Sequence, residues 1–189
     1  MGWMGGEVRL AVSVERIRYR ERVKTSDRKT VRRIVESSRF FSSSEIEIAV
    51  ELVGERLLRG TRSGYFFLFA EIRGEVIGYT CFGPIAGTLA SYDLYWIAVE
   101  DGCRGTGIGG ELLTKTEEKI AKRGGRRIYV ETSSRAQYEP TRSFYERSGY
   151  RGEAILKNFY APGDDKIIYV KEIRPLPSSS PPPATHMSP

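Results

Sequence analysis

At 189 residues, 40% of them apolar, the chain is long enough to bury one substantial core and too short for several. No apolar run approaches the roughly 20 residues of a membrane span, and the stretch 10–14 between Arg9 and Arg16 is too short for a signal peptide, so a cytoplasmic location is expected. The net charge of +6 suits an acidic ligand or partner, whereas two cysteines, Cys81 and Cys103, and a single histidine, His186, exclude a disulfide framework, a zinc site and a histidine-based triad.

Residues 1–15 carry no clear pattern and read as a loose leader ahead of one domain over 16–174. From Arg16 to Lys24 the residues alternate, with Ile17, Tyr19 and Val23 facing one way and the arginines the other, as on an edge strand. Thr25 or Ser26 then caps a helix with a narrow apolar stripe of Val31, Ile34 and Val35. Ser42 and Glu45 have the spacing of a capping box, with Phe41 placed to pack on Ile46, and the second helix runs to Arg59, where Gly60 stops it. Two apolar strands, 65–72 and 76–82, form a hairpin through Arg73-Gly74-Glu75, and Gly83-Pro84 is expected to break it.

Ser91-Tyr92-Asp93 leads into the apolar strand 94–99, which is followed by a turn and then by Arg104-Gly105-Thr106-Gly107-Ile108-Gly109-Gly110. Behind these glycines Leu112, Leu113, Thr116, Ile120 and Ala121 recur at helical spacing. Strand 127–131 comes next, then a short helix opened by Pro140, carrying Phe144 and Tyr145 and closed by Gly149. Strands 150–159 and 166–173 are joined by Ala161-Pro162-Gly163-Asp164-Asp165, and the Pro/Ser-rich stretch 175–189 reads as a disordered tail. The resulting order, β-α-α-β-β-β-α-β-α-β-β, is α/β with a mixed sheet.

A glycine-lined turn feeding a helix start aims free backbone N–H groups and the positive end of the helix dipole at one point, which marks a phosphate or pyrophosphate site. The same glycines also satisfy a dinucleotide fingerprint, with Glu131 about 20 residues on as the ribose acid. That reading implies an oxidoreductase, but Glu100 to Arg104 intervene between strand and fingerprint. A third reading, from a different class, is a basic nucleic-acid-binding module using Arg16 to Arg33.

Two motifs favour the first reading. Arg104-x-x-Gly107-x-Gly109 after one strand, and Phe144-Tyr145-x-x-x-Gly149-Tyr150 after the next, together resemble the GNAT superfamily of acyl-CoA-dependent N-acyltransferases. The resemblance implies a GNAT-like fold, acetyl-CoA as co-substrate, no metal, and direct attack of a primary amine on the thioester. It further implies that Ile97, Ala98 and Val99 meet the pantetheine arm, that Arg104, Gly105, Thr106, Gly107, Ile108, Gly109 and Gly110 cradle the pyrophosphate, and that Tyr145 lies near the sulfur. Many members place asparagine seven positions before the motif tyrosine. Here Tyr138 stands there, as a candidate coenzyme contact.

For the base that neutralises the attacking amine, the strand ends offer Asp93 and Glu131. Cys103 has no partner that would make it an acyl relay. Asp164 and Asp165 either hold a cationic amine or serve only the turn. A small-molecule amine or amino acid is the leading acceptor and a protein amino group the alternative, with a homodimer left open and a nucleic acid the weaker partner.

Overall fold

The computed structural model describes residues 16–174; the leader and tail expected at 1–15 and 175–189 lie outside them. In chain order the elements are β1 (Arg18–Arg20), α1 (Asp27–Ser37), α2 (Ser43–Arg59), β2 (Phe66–Ile72), β3 (Glu75–Pro84), β4 (Ser91–Val99), α3 (Ile108–Lys122), β5 (Arg127–Ser133), α4 (Glu139–Arg147), β6 (Arg151–Ala161) and β7 (Asp164–Glu172). This is the α/β order read from the sequence. The strands form one sheet in the order β1-β2-β3-β4-β5-β7-β6, antiparallel throughout except between β4 and β5.

Each face of the sheet is covered by its own helices. Val31, Ile34 and Val35 of α1 and Ala49 and Val53 of α2 pack on Phe67, Phe69, Tyr79 and Cys81. On the other face, Leu113 and Ile120 of α3 and Tyr145 of α4 pack on Phe82, Leu94, Ile128 and Val130, while Ile108 and Leu112 pack on Leu68 and Ala70. Helices on both faces of a sheet bury its apolar residues in two layers.

Local signals explain most element ends. Ser42 accepts from the Glu45 amide at 3.3 Å, and the Glu45 carboxylate takes the Ser42 amide at 2.8 Å, which is the expected capping box. Phe41 extends that cap into the core, its ring centroid 4.9 Å from that of Trp96 on β4, and both Phe41 and Ile46 pack on the same cluster. The β2–β3 connection is tighter than expected. Ile72 pairs with Glu75, and Arg73 and Gly74 both have positive φ, the two-residue turn that matches strand twist.

Three details differ from expectation. Strand β1 has only three residues, because the chain leaves the sheet to reach α1; Ile17 and Tyr19 join the α3 cluster, whereas Val23 joins the α1/α2 cluster. Arg20 is not a solvated edge residue. It makes two 2.9 Å bonds to Asp27, one of 2.6 Å to Glu71, and lies 4.4 Å above the Phe69 ring. Finally, β3 runs through Gly83-Pro84 instead of breaking there, since a proline at a strand's last position forfeits little of the ladder.

Two features of β4 position the site. Cys81 pairs with Trp96 but Phe82 with Leu94, so Tyr95 is an extra residue, a β-bulge. The bulge reverses the alternation: Tyr92 and Leu94 face α3 and α4, but beyond it Trp96 and Ala98 face α1 and α2. Second, β4 and β5 pair only over Ser91–Asp93 and Arg127–Tyr129, after which the two strands part.

Candidate active site

Where β4 and β5 separate, the β5-facing edge of β4 has no ladder partner among the described residues from Leu94 onward, while Ile97, Ala98 and Val99 stay in register with Thr80, Tyr79 and Gly78 of β3 on the other side. A strand with one open edge offers N–H and C=O groups to an extended amide-containing chain. These are the three residues expected to meet a pantetheine arm.

The chain then passes through a single 3-10 turn, Asp101–Cys103, into the glycine loop. Gly105 and Gly107 hold φ of 74° and 89°, and a Cβ added at either would meet no atom within 4 Å. Glycine is therefore needed for the backbone path and for close approach, not for packing. Helix α3 starts with Gly107 as its cap and no side-chain cap bond. Among the described residues, no amide from Gly105 to Gly110 donates to a backbone carbonyl. The Thr106 hydroxyl donates to the Cys103 carbonyl at 2.6 Å, which closes the loop from inside. Arg104 sits at the rim, 3.5 Å from Asp101 and 5.2 Å from the Phe40 ring centroid. Open amides, a helix dipole and a guanidinium at one rim form an anion cradle.

Tyr145 approaches from α4. It is 5% exposed, with its ring centroid 5.6 Å from Tyr150 and 6.2 Å from Tyr169. Burial alone pushes its phenol well above the ordinary range, with no charged neighbour contributing, so the hydroxyl stays protonated and acts as a hydrogen-bond donor. The neighbouring Phe144 covers the glycine loop, since a Cβ built on Gly109 would lie 3.8 Å from its ring. The two motifs read separately in the sequence thus touch.

Asp93 and Glu131 lie on the opposite, α1/α2-side face of the sheet, where alternation turns them away from Leu94 and Val130. They differ in partners. Glu131 is ion-paired with Lys166 at 2.6 Å. Asp93 has no ion pair among the described residues; burial pushes its carboxyl up to about 6, Glu131 adds to the rise, and Lys166 opposes it. Tyr95, at the bulge, is pushed up to about 12 by burial and then by Asp93, and its ring meets Tyr65 at 5.4 Å. Tyr160 of β6 is likewise pushed up to about 12, first by burial and then by Glu131 and Asp164.

Tyr138 is 8% exposed in the 3-10 turn Ala136–Tyr138 that opens α4. The Arg135 guanidinium lies 5.6 Å from its ring, and the adjacent Gln137 donates to the Phe40 carbonyl at 3.3 Å, linking this turn to the α1–α2 connection. Asp164 and Asp165 are both engaged: Asp164 is buried against Ser133 at the end of β5 and pairs with Arg135 at 3.0 Å, while Asp165 holds the end of β6 through Lys157 and the Asn158 amide, each at 2.8 Å. Neither is free for an incoming cation. Burial, helped by Glu100, raises the Cys103 thiol, which makes it a poor nucleophile.

Sequence reasoning missed Lys166, Tyr95 and Tyr160. Lys166 lies opposite Ser133, one diagonal step from Glu131, a neighbour that only the register of β5 with β7 reveals. The dinucleotide alternative is overturned by the sheet. Its one parallel pairing spans three residues, whereas a doubly wound nucleotide fold needs parallel strands on both sides of the loop.

Residues 30–150 match the family model for the acetyltransferase (GNAT) family. This chain belongs to that family. An uncharacterized N-acetyltransferase of Methanocaldococcus jannaschii is 33% identical over 146 residues, covering 71% of this chain and 90% of the relative. Among solved structures, a GNAT-family acetyltransferase from Desulfovibrio desulfuricans superposes with a TM-score of 0.81 at 46% identity, covering 82% of this chain and 98% of that one. More distant GNAT structures share the fold. An aminoglycoside 6′-N-acetyltransferase complexed with coenzyme A has a TM-score of 0.66 at 22% identity, over 86% and 99% of the two chains. The Escherichia coli ribosomal-protein-S18-alanine N-acetyltransferase gives 0.67 at 21%, over 87% and 99%. The protein is thus an N-acetyltransferase of the GNAT family.

Proposed function

We propose that this GNAT enzyme moves an acetyl group from acetyl-CoA to a primary amine by direct attack on the thioester, and that the acceptor is a small-molecule amine or amino acid. The observation that carries the reading is the parting of β4 from β5 after Asp93 and Tyr129. In this reading the gap takes the pantetheine arm, the loop 105–110 the diphosphate, Tyr145 the sulfur and Asp93 the amine. The residues present fit coenzyme A, with Arg104 and the loop amides suited to the diphosphate and the open edge of Ile97–Val99 to the pantetheine amides.

Asp93 is the base in this reading. An alkylammonium with a pKa near 10.4 is only about one part in a thousand neutral at pH 7, so a nearby proton acceptor raises the competent fraction. A carboxylate near 6 is a better acceptor than an ordinary one and is still ionised at pH 7. As the amine nitrogen bonds to the acyl carbon and the carbon–sulfur bond breaks, Tyr145 donates a hydrogen bond to the departing thiolate. Its raised pKa makes full proton transfer uphill, so the phenol stabilises charge and does not discharge it early.

The half-buried Asp93, bordered by Tyr95, suits a single compact cation. A protein amino group is the alternative acceptor, in line with the S18-alanine enzyme of the same fold. Thiol release measured with a panel of small amines, amino acids and short peptides decides between them. Small amines are expected to give the highest kcat/KM. A tenfold preference for peptide amino termini overturns the acceptor class, and no thiol release with any member overturns the transfer itself.

A further inference from the structure

We propose that Lys166 is a positioning residue for the acceptor half of the reaction. Its ammonium, held between the Glu131 carboxylate and the Phe159 ring, cancels the charge of Glu131 and so leaves Asp93 as the group that receives the acceptor's proton. The inference rests on the assignment of Asp93 as base and deepens it.

The geometry is that of a filled ammonium site. Lys166 Nζ lies 2.6 Å from Glu131 Oε2, 3.7 Å from the centroid of Phe159 and 5.7 Å from that of Tyr160. The lysine side chain is 12% exposed, against 47% for its glutamate. A carboxylate on one side and an aromatic face on the other fix an ammonium more firmly than a surface ion pair does. Register explains why it is there. Lys166 faces Ser133 across the β5–β7 ladder and Glu131 faces Ile168, so lysine and glutamate are diagonal neighbours on one face of the sheet. Asp93, paired with Tyr129 two residues before Glu131, opens onto the same face.

The charged and titratable groups around Asp93 come from every neighbouring strand. Glu131 on β5 and Lys166 on β7 act on it, Tyr129 on β5 is its register partner, and Tyr95 on its own strand is itself raised by Asp93, with Tyr65 and Cys81 around that tyrosine and Tyr160 of β6 beside Glu131. Of these, Glu131 and Lys166 are the two charges that act directly on Asp93, and they oppose one another. Two carboxylates alone would hold Asp93 protonated well into the neutral range. With the ammonium on Glu131 the three groups carry one net negative charge, and Asp93 ionises where the enzyme can use it.

The test is a set of four variants, Lys166→Met, Lys166→Arg, Glu131→Gln and Asp93→Asn, each followed by kcat/KM against pH and, for the three that keep Asp93, by carboxyl-carbon NMR titration of its side chain without substrate. Methionine keeps the stem on Phe159 and removes the charge. Lys166→Met is expected to move the Asp93 midpoint up in both measurements, with roughly a tenfold loss of kcat/KM near pH 6 that disappears by pH 9. Lys166→Arg restores the wild-type midpoint, and Glu131→Gln moves it down. A purely structural lysine would lower the rate at all pH values and leave the titration in place, and that result overturns the proposal. An Asp93→Asn enzyme that keeps the wild-type acid limb overturns instead the base assignment, and the proposal with it, even where the carboxyl titration shifts.

Discussion

At the scale of single residues, burial decides which groups can act. Tyr145 has its phenol raised by burial alone, which suits the role proposed for it, a hydrogen bond to developing sulfur charge. Tyr145→Phe is expected to lower kcat about 10²-fold while leaving the acetyl-CoA dissociation constant within a factor of two, checked by steady-state kinetics beside calorimetry. Asp93 makes a prediction with two signs. Its carboxyl is raised to about 6, so kcat/KM climbs with pH through about 6 and then levels as the base ionises. Stability runs the other way. The folded value lies above the unfolded one, near 3.9, so the folded state binds the extra proton between about pH 4 and pH 6. That contribution is full below pH 4 and is lost as pH rises through 6. Asp93→Asn, which cannot ionise, should therefore melt higher than wild type at pH 7.5 and equally at pH 4. Because the site is partly solvated, the difference is screened to about 1 kcal/mol, or roughly 3 °C. Asp93 and Glu131 were both legible as strand-end carboxylates, but their division of labour was not, because it depends on a lysine on a different strand.

At the scale of elements, the start of α3 is built for a ligand and the start of α1 for stability. Gly107 sits in the left-handed region with open space around it. Gly107→Ala should cost about 1–2 kcal/mol of fold stability and weaken acetyl-CoA binding at least tenfold, measured by melting and by calorimetry on the same preparation. Asp27, 1% exposed, closes the other end of the sheet through Arg20 and the Lys24 amide, while Arg20 also holds Glu71 of β2. Removing one partner of a buried charge pair leaves the other uncompensated, so Asp27→Ala should lower the melting temperature by roughly 10 °C, the equivalent of about 3 kcal/mol. The sequence showed the glycine loop plainly, since four glycines in six residues serve no ordinary cap. At β1 the alternating arginines read as an edge or half-exposed strand, and β1 does stand at the edge of the sheet, but the alternation did not show where Arg20 goes. Arg20 in fact turns inward to a carboxylate seven residues on and another on β2, and only the second of these is a long-range contact that alternation cannot show.

For the whole molecule, the proposed function draws on both halves of the sheet. The β1–β4 half contributes the open edge and, through the glycine loop, the cradle, while the β5–β7 half brings Glu131 and Lys166. Acetyl-CoA should therefore stabilise the fold as a unit. At a hundred times its dissociation constant it is expected to add about 2.7 kcal/mol, a rise of roughly 5–10 °C, whereas a nucleic acid at equal charge concentration gives no comparable shift. A chain cut to residues 16–174 should show the same rise, because all of the cradle and cleft residues lie within it. Loss of the rise on truncation would show that the flanking segments take part in binding.

Local pattern was sufficient for element order, for the capping box at Ser42 and Glu45, for the glycine loop that opens α3 and for the short helix that carries Tyr145. Each of these rests on residues within a few positions of one another, where periodicity, cap chemistry and glycine backbone freedom act directly. Tertiary structure alone decided where β4 and β5 part, which face Asp93 shares with Glu131 and Lys166, and that Asp164 is taken by Ser133 and Arg135 at the end of β5. Those outcomes depend on strand register and on charges brought together from distant strands, and neither is encoded in any short stretch of the chain.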